Sequence, residues 1–203
     1  MAYEATSSST RTPRERNLLY YLSQGWRSPS LVLQVLRARW QLRNCDVLPL
    51  TVRLRGRARV EKYGGHIELG ERVRIEARTV PVEMVAWREA RLSVGEGTFI
   101  NYGASLSAHQ EVRIGANCMI GNYVVIMDSD YHDLLHRHLP GPASPIVIED
   151  EVWIGVRATI LKGVRIGQGS VIGAGSVVTT NIPPWSVAFG VPARVVRSLT
   201  PPA

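Results

Sequence analysis

The feature that most constrains the fold is a six-residue period of aliphatic side chains. The repeated positions form several runs: Ile154, Ile160, Ile166, Ile172 and Val178; Ile114, Ile120 and Ile126; Val94, Ile100, Leu106 and Val112; with the pairs Leu54 and Val60, and Ile67 and Val73, before them. A β-strand alternates sides every two residues, so a period of six means that each unit forms one flat side with one residue on the axis. Three sides close a coil of about 18 residues, which predicts an all-β solenoid of stacked parallel strands. Cys118 occupies a small-residue position of the repeat and is predicted to lie in the core.

The chain divides by pattern into four segments. Residues 1–16 are predicted to be a disordered tail, residues 17–49 a basic amphipathic helical segment, residues 50–198 the solenoid domain and residues 199–203 a short tail. Ser28 and Pro29 suit the N-cap and the first position of a helix. The period holds at Ile126 and resumes at Ile154, so residues 127–147 form a predicted loop, and a long irregular segment in a repeat domain is usually functional.

The composition excludes several classes of protein. No apolar run approaches the roughly 20 residues of a membrane-spanning helix. The polar first residues lack the apolar core of a secretory signal. Two cysteines cannot build a disulfide scaffold. We therefore expect a cytoplasmic protein.

The basic charge is concentrated in the first 60 residues, which hold eleven Arg against Glu4, Glu15 and Asp46. Such a segment suits a solvated face, an anionic lipid surface or an anionic substrate, and the absence of a nucleic-acid motif favours no nucleic-acid partner. The stretch 28–43 combines an apolar stripe with arginines and Trp40. Such a helix can lie peripherally in a membrane interface, or it can pack on the protein's own body or on a neighbouring subunit.

Several motifs resemble those of the hexapeptide-repeat acyltransferases. They are residues 99–103 (FINYG), 114–121 (IGANCMIG), 152–155 (VWIG), 171–178 (VIGAGSVV), 182–184 (IPP) and 190–197 (GVPARVVR). They are most similar to the maltose, galactoside and exopolysaccharide O-acetyltransferases. The resemblance implies a left-handed parallel β-helix, acetyl-CoA as donor, a saccharide acceptor, direct transfer in a ternary complex and a homotrimer with active sites between protomers.

The same resemblance places the catalytic histidine of the family at His132, one residue later than in the maltose branch. Histidine titrates near neutrality and can take the proton of an attacking hydroxyl, so it suits this role. Asn101 matches the family's asparagine near the acceptor and the histidine. Asp128, Asp130 and Tyr131 are candidates for contacting the acceptor.

The carboxy-terminal half is expected to bind coenzyme A. The resemblance places the pantetheine arm near Trp153, Gly155 and Ala174, and the nucleotide phosphates near Arg194 and Arg197, whose planar cations suit phosphate. Family members often have a lysine at the position of Thr180. That phosphate contact is either missing here or supplied by a different cation, either Lys162 or an arginine other than Arg194 and Arg197.

Other functions remain open from the sequence. The acceptor can be an amino sugar acetylated on nitrogen, or another small molecule such as a natural product. Some carbonic anhydrases share the coil architecture and hold zinc with three histidines, but His132, His136 and His138 fall in one loop, so no metal is expected. A non-catalytic scaffold is the third alternative.

Overall fold

The computed structural model describes residues 29–201, and these residues form one helix and seventeen strands. Helix α1 spans Pro29–Gln41. The strands are β1 (Arg53–Tyr63), β2 (His66–Leu69), β3 (Arg74–Trp87), β4 (Arg91–Val94), β5 (Phe99–Asn101), β6 (Ser105–Ala108), β7 (Glu111–Ile114), β8 (Met119–Ile120), β9 (Val125–Met127), β10 (Ile146–Ile148), β11 (Trp153–Ile154), β12 (Thr159–Ile160), β13 (Arg165–Ile166), β14 (Val171–Ile172), β15 (Val177–Val178), β16 (Ser186–Gly190) and β17 (Ala193–Ser198).

The strands stack into a parallel solenoid of about six turns with three faces. The first face consists of β2, β4, β7, β10 and β13. The second face consists of the first half of β1, the first half of β3, then β5, β8, β11, β14, β16 and β17. The third face consists of the second halves of β1 and β3, then β6, β9, β12 and β15. All pairings between these strands are parallel except that of β16 with β17.

The six-residue period builds the core as predicted. Every repeated aliphatic residue named above is at most 7% exposed, and nearly all are fully buried. Cys118 is 1% exposed, and burial raises the pKa of its thiol to about 11, so it is a packing residue in its protonated form.

The repeat glycines are required by close approach between coils. A Cβ on Gly155 would lie 2.7 Å from the backbone nitrogen of Ala174, and one on Gly167 would lie 2.3 Å from that of Pro184. The left-handed backbone conformation of the corners falls elsewhere in the repeat. It is adopted by glycines such as Gly103 and Gly175, and also by side-chain-bearing residues such as Asn117.

Of the described part of the amino-terminal segment, residues 29–49, only Pro29–Gln41 is helical. Pro29 is the first residue of α1, as predicted, whereas Ser28, the rest of residues 17–28 and the tail at 1–16 lie outside the described residues. The helix packs on the body through Ala38, and Leu42, which directly follows the helix, is also fully buried. No helix within residues 29–201 is long and apolar enough to cross a membrane.

The loop that interrupts the repeat is slightly shorter than predicted. Met127 still belongs to β9, and β10 begins at Ile146, so the irregular segment covers residues 128–145. The six-residue period resumes at Ile148, six residues before Ile154, and Ile148 is buried and pairs with Ile114 and Ile166.

Candidate active site

A long groove runs along the second face of the solenoid. Its volume is about 460 Å³. Four of the residues proposed from the sequence line it together: Asn101 at the end of β5, Trp153 on β11, Gly155 just after β11 and Ala174 just after β14. The groove crosses four consecutive rungs of the sheet, β5, β8, β11 and β14, and therefore suits an extended ligand lying along the stack.

The floor and wall of this groove are apolar and open. Trp153 and Met119 are each 52% exposed although they are large hydrophobic side chains. Gly121, Gly155 and Gly173 occupy equivalent positions on successive rungs and add no side chain to the groove. This combination of an apolar wall and an unobstructed floor suits a flexible extended arm such as pantetheine.

Asn101 stands at one end of the groove. Its side-chain oxygen accepts a hydrogen bond of 2.9 Å from the backbone N–H of Tyr102. Its oxygen thus has a local backbone partner, while its amide N–H groups are the donors available to a ligand.

Arg194 and Arg197 lie at the other end of the second face, on β17. Val187 of β16 pairs with both Val171 of β14 and Arg197 of β17, so the two arginines follow the groove by two strand spacings, about 10 Å. Both side chains are exposed. Thr180 is also exposed, and it adds no cation to this end.

The loop at residues 128–145 leaves the solenoid at the corner between the third and first faces. It folds back on itself through bridges between Ser129 and Ala143 and between His132 and Pro140. Its base is closed by the backbone N–H of Ser144, which donates to the carbonyl of Asp128 at 2.8 Å.

The structure corrects the expectation that Asp128 contacts the acceptor. Its side chain is 0% exposed, and its oxygens accept hydrogen bonds from three consecutive backbone N–H groups, those of His109, Gln110 and Glu111, at 2.6–2.8 Å. Asp128 thus ties the first residue of the loop to the coil above it. The three donors lie 17–19 residues earlier in the chain and form no sequence motif with Asp128.

His132 is exposed on the loop, and its Nδ1 lies 2.8 Å from the backbone carbonyl of Arg137. A carbonyl oxygen only accepts, so Nδ1 carries the proton in this contact. In the neutral imidazole the lone pair is then on Nε2, which is the atom able to take a proton.

The neighbours of His132 have structural partners. Asp130 forms an ion pair with Lys162, which therefore lies at the base of the loop and not beside Arg194. The hydroxyl of Tyr131 donates to Ser107 at 2.8 Å, and its ring packs edge-on against His109. Burial lowers the pKa of His109, although the nearby Asp128 carboxylate opposes this effect.

His132 and the groove lie on opposite sides of one chain. The groove occupies the second face, and the loop leaves from the edge between the other two faces, which is the edge opposite the second face of a three-sided prism. Asn101, Trp153, Gly155 and Ala174 are therefore brought together by the fold, while His132 is not brought to them within the chain.

Some groove residues escaped the sequence reasoning. Met119, Phe99 and Asn122 also line it. Met119 had a usable signal, since it is a large apolar residue at an outward-facing position of the repeat, directly before the buried Ile120. Within residues 29–201 no group of three His, Cys, Asp or Glu side chains is placed to hold a metal ion.

Comparison with known proteins identifies this architecture. Residues 145–180 match the family model for the hexapeptide repeat of succinyl-transferase. Over 169 residues the chain is 33% identical to the galactoside O-acetyltransferase of Escherichia coli strain K12, covering 76% of this chain and 82% of that protein. A galactoside O-acetyltransferase from Lactococcus lactis is 38% identical over 108 residues, 52% of each chain.

Solved structures of acetyltransferases also superpose on this chain. A hexapeptide-repeat acetyltransferase from Vibrio cholerae, crystallised with acetyl coenzyme A, superposes with a TM-score of 0.53 at 28% identity, over 87% of this chain and 92% of that one. The polySia specific acetyltransferase NeuO superposes with a TM-score of 0.53 at 31% identity, over 69% of this chain and 68% of that one.

A left-handed parallel β-helix with an open groove along one face defines the class of hexapeptide-repeat transferases. The chain belongs to the hexapeptide-repeat acetyltransferase family and is an acetyl-CoA-dependent acetyltransferase. The groove fits this donor, because it is long, apolar and unobstructed at its glycines, and its carboxy-terminal end leads toward Arg194 and Arg197.

Proposed function

We propose that the protein transfers an acetyl group from acetyl-CoA to a hydroxyl of a saccharide or glycoconjugate. The observation that carries the proposal is the groove, which ends at Asn101 and is suited to an acyl carrier. The choice of a sugar hydroxyl is supported by the names of the two galactoside O-acetyltransferases.

His132 acts as the general base in this proposal. With Nδ1–H held by the Arg137 carbonyl, Nε2 takes the proton of the acceptor hydroxyl as the oxygen attacks the acetyl carbonyl carbon. The donor supplies a thioester: as the acetyl–oxygen bond forms, the carbon–sulfur bond breaks, and the leaving thiolate receives the proton from Nε2. The Asn101 amide N–H groups can orient the acceptor or stabilise negative charge on the carbonyl oxygen.

The proposed active site requires a second copy of the chain, because His132 and the groove face opposite directions in one chain. A heterologous interface brings the loop of one protomer against the groove of the next, and a cyclic arrangement completes each site in turn. We propose a homotrimer on this basis and on the family resemblance. The exposed Trp153 and Met119 would be covered in such an assembly.

The acceptor class can be tested with radiolabelled acetyl-CoA and a panel of saccharides. The panel contains galactosides, maltose and polysaccharide fragments, with amino sugars and serine as other acceptor classes. We expect label in saccharides that hydroxylamine releases, since it cleaves oxygen esters and leaves amides intact. Stable label on an amino sugar, or label on serine alone, would overturn the proposal.

Subunit complementation tests the shared active site. We expect the variants His132→Ala and Ala174→Trp to be inactive separately, because one lacks the base and the other fills the groove. Random co-assembly as a trimer pairs an intact loop with an intact groove at about a quarter of the interfaces, so about that fraction of wild-type activity should return. Variants mixed without refolding are the control, and no regained activity after co-assembly would place the site within one chain.

The amino-terminal helix supports a peripheral membrane contact as a separate proposal. Leu33, Leu36 and Trp40 lie one turn or two turns apart on α1 and are 54%, 61% and 69% exposed. Such a stripe beside arginines suits an anionic lipid interface. We expect flotation with anionic vesicles at low salt, and its loss in Trp40→Ser; no flotation of the wild type would contradict the proposal.

A further inference from the structure

A second cavity on the same face lies next to the groove, beyond Asn101. It has a volume of about 180 Å³ and is lined by Gln34 of α1, Arg53 and Arg55 of β1, Arg74, Ile75 and Glu76 of β3, and Phe99 of β5. Phe99 lines both cavities, so the two adjoin at β5. From this cavity we infer that the acceptor carries a carboxylate or phosphate group, bound by Arg53, Arg55 and Arg74; the inference rests on the proposed function.

The register of the sheet fixes where these arginines stand relative to the reaction centre. Arg53 pairs with Arg74, and Arg74 pairs with Phe99. On the neighbouring outward position Arg55 pairs with Glu76, and Glu76 pairs with Asn101. The arginines therefore lie one and two strand spacings from the Asn101 rung, about 5 and 10 Å. This is the scale of one or two sugar rings.

The cavity holds more positive charge than it neutralises. Glu76 accepts a hydrogen bond from Arg78 at 2.7 Å and lies 3.8 Å from Arg55. Arg74 lies over the ring of Phe99, 5.5 Å from its centroid. The lining of the cavity thus holds three guanidinium groups, those of Arg53, Arg55 and Arg74, against the one carboxylate of Glu76, and an anion would balance the excess.

Arg53 has an unsatisfied donor at this place. Its Nε atom is buried and has no hydrogen-bond acceptor among residues 29–201. A buried N–H without an acceptor costs free energy, and a small shift of the Arg53 side chain toward an oxyanion in the cavity would supply the missing acceptor. Arginine forks bind carboxylate and phosphate oxygens two at a time, so this cavity selects the charge and the planar or tetrahedral shape of its ligand.

The position of the cavity assigns it to the acceptor and not to coenzyme A. The arginines on β17 stand at the opposite end of the same face, two rungs beyond the groove. Acetyl-CoA bound along the groove with its phosphates at Arg194 and Arg197 has its thioester near Asn101. A ligand beyond Asn101, on the side of β3 and β1, is then the acceptor.

The inferred anion site can be tested with two acceptor pools that differ only in their carboxyl groups. An oligosaccharide pool from a uronic acid-containing polysaccharide is compared with the same pool after its carboxyl groups are reduced to neutral hexoses. We expect the wild type to acetylate the acidic pool with a KM about 10- to 100-fold lower, as for loss of charge-assisted hydrogen bonds. Arg74→Gln should abolish this preference and leave the KM for acetyl-CoA unchanged. Arg91→Gln, an exposed arginine on the first face, is the control and should retain the preference.

A binding measurement separates this inference from the proposed function. Glucuronate and inorganic phosphate are titrated into the wild type, Arg74→Gln and Arg91→Gln, with acetyl-CoA present. Binding lost only in Arg74→Gln supports the anion site even if no saccharide is acetylated, an outcome that would reject the proposed function alone. Equal acetylation of acidic and neutral pools, anion binding that Arg74→Gln leaves intact, or a raised KM for acetyl-CoA in that variant would each overturn the inference.

Discussion

Replacing His132 with alanine is expected to lower kcat by about 10²- to 10⁴-fold, the usual contribution of a general base. The hydrogen bond from its Nδ1 to the Arg137 carbonyl leaves Nε2 as the atom that accepts the acceptor proton, and alanine has no replacement for it. The KM for acetyl-CoA should stay near the wild-type value, because the proposed partner of His132 is the acceptor hydroxyl and the residues that line the groove are unchanged. Steady-state kinetics with both substrates varied measures the two effects.

His136→Ala is the matched control, since His136 is an exposed histidine four residues further along the same loop. Its activity should remain within a few-fold of the wild type. Equal losses in the two variants would mean that the loop was disturbed as a whole, and wild-type activity in His132→Ala would reject the base assignment while leaving the groove assignment intact.

Replacing Asp128 with alanine is expected to destabilise the protein by about 3–5 kcal/mol, because three N–H groups lose an acceptor in a buried site. The donors are the backbone N–H groups of His109, Gln110 and Glu111. The same change frees the start of the loop that carries His132, so kcat should fall as well. Urea unfolding followed by circular dichroism gives the free energy of unfolding.

Asp133→Ala is the control for this effect. Asp133 lies on the loop and accepts hydrogen bonds from the N–H groups of Leu135 and His136, which are exposed residues. Its loss should cost no more than about 1 kcal/mol, because water can replace the acceptor. If Asp128→Ala were no more destabilising than Asp133→Ala, Asp128 would not anchor the loop.

The architecture was predictable because the six-residue repeat can be read from short stretches of sequence and defines the fold of the whole solenoid. A side chain such as Ile154 has to be aliphatic since it points to the axis, and Gly155 has to be glycine since the next coil is 2.7 Å from its Cβ position. Once the period is known, residues six positions apart occupy equivalent places. The family resemblance placed Trp153, Gly155 and Ala174 along the pantetheine arm, and the structure brings all three together in the groove.

The arrangement of the loop and of the early coils was not predictable in the same way. Asp128 and Asp130 look alike in the sequence, yet one is buried against backbone donors and the other pairs with Lys162. Their partners are 17–32 residues away and follow no period. Likewise the arginines of β1 appeared as part of a general basic charge, and only the strand register places Arg53 beside Arg74.

The way in which the loop joins the solenoid has an evolutionary consequence. The chain departs after Met127 and returns at Ile146, yet Ile146 pairs with Val112 and Thr159 pairs with Val125 as if nothing had intervened. The loop is closed at its base by the bond between Ser144 and Asp128, and its described side-chain contacts with the coils come from its first residues, Asp128, Asp130 and Tyr131. The rest of the loop can therefore change in sequence and length to suit a new acceptor, while the periodic residues that build the acetyl-CoA groove stay the same.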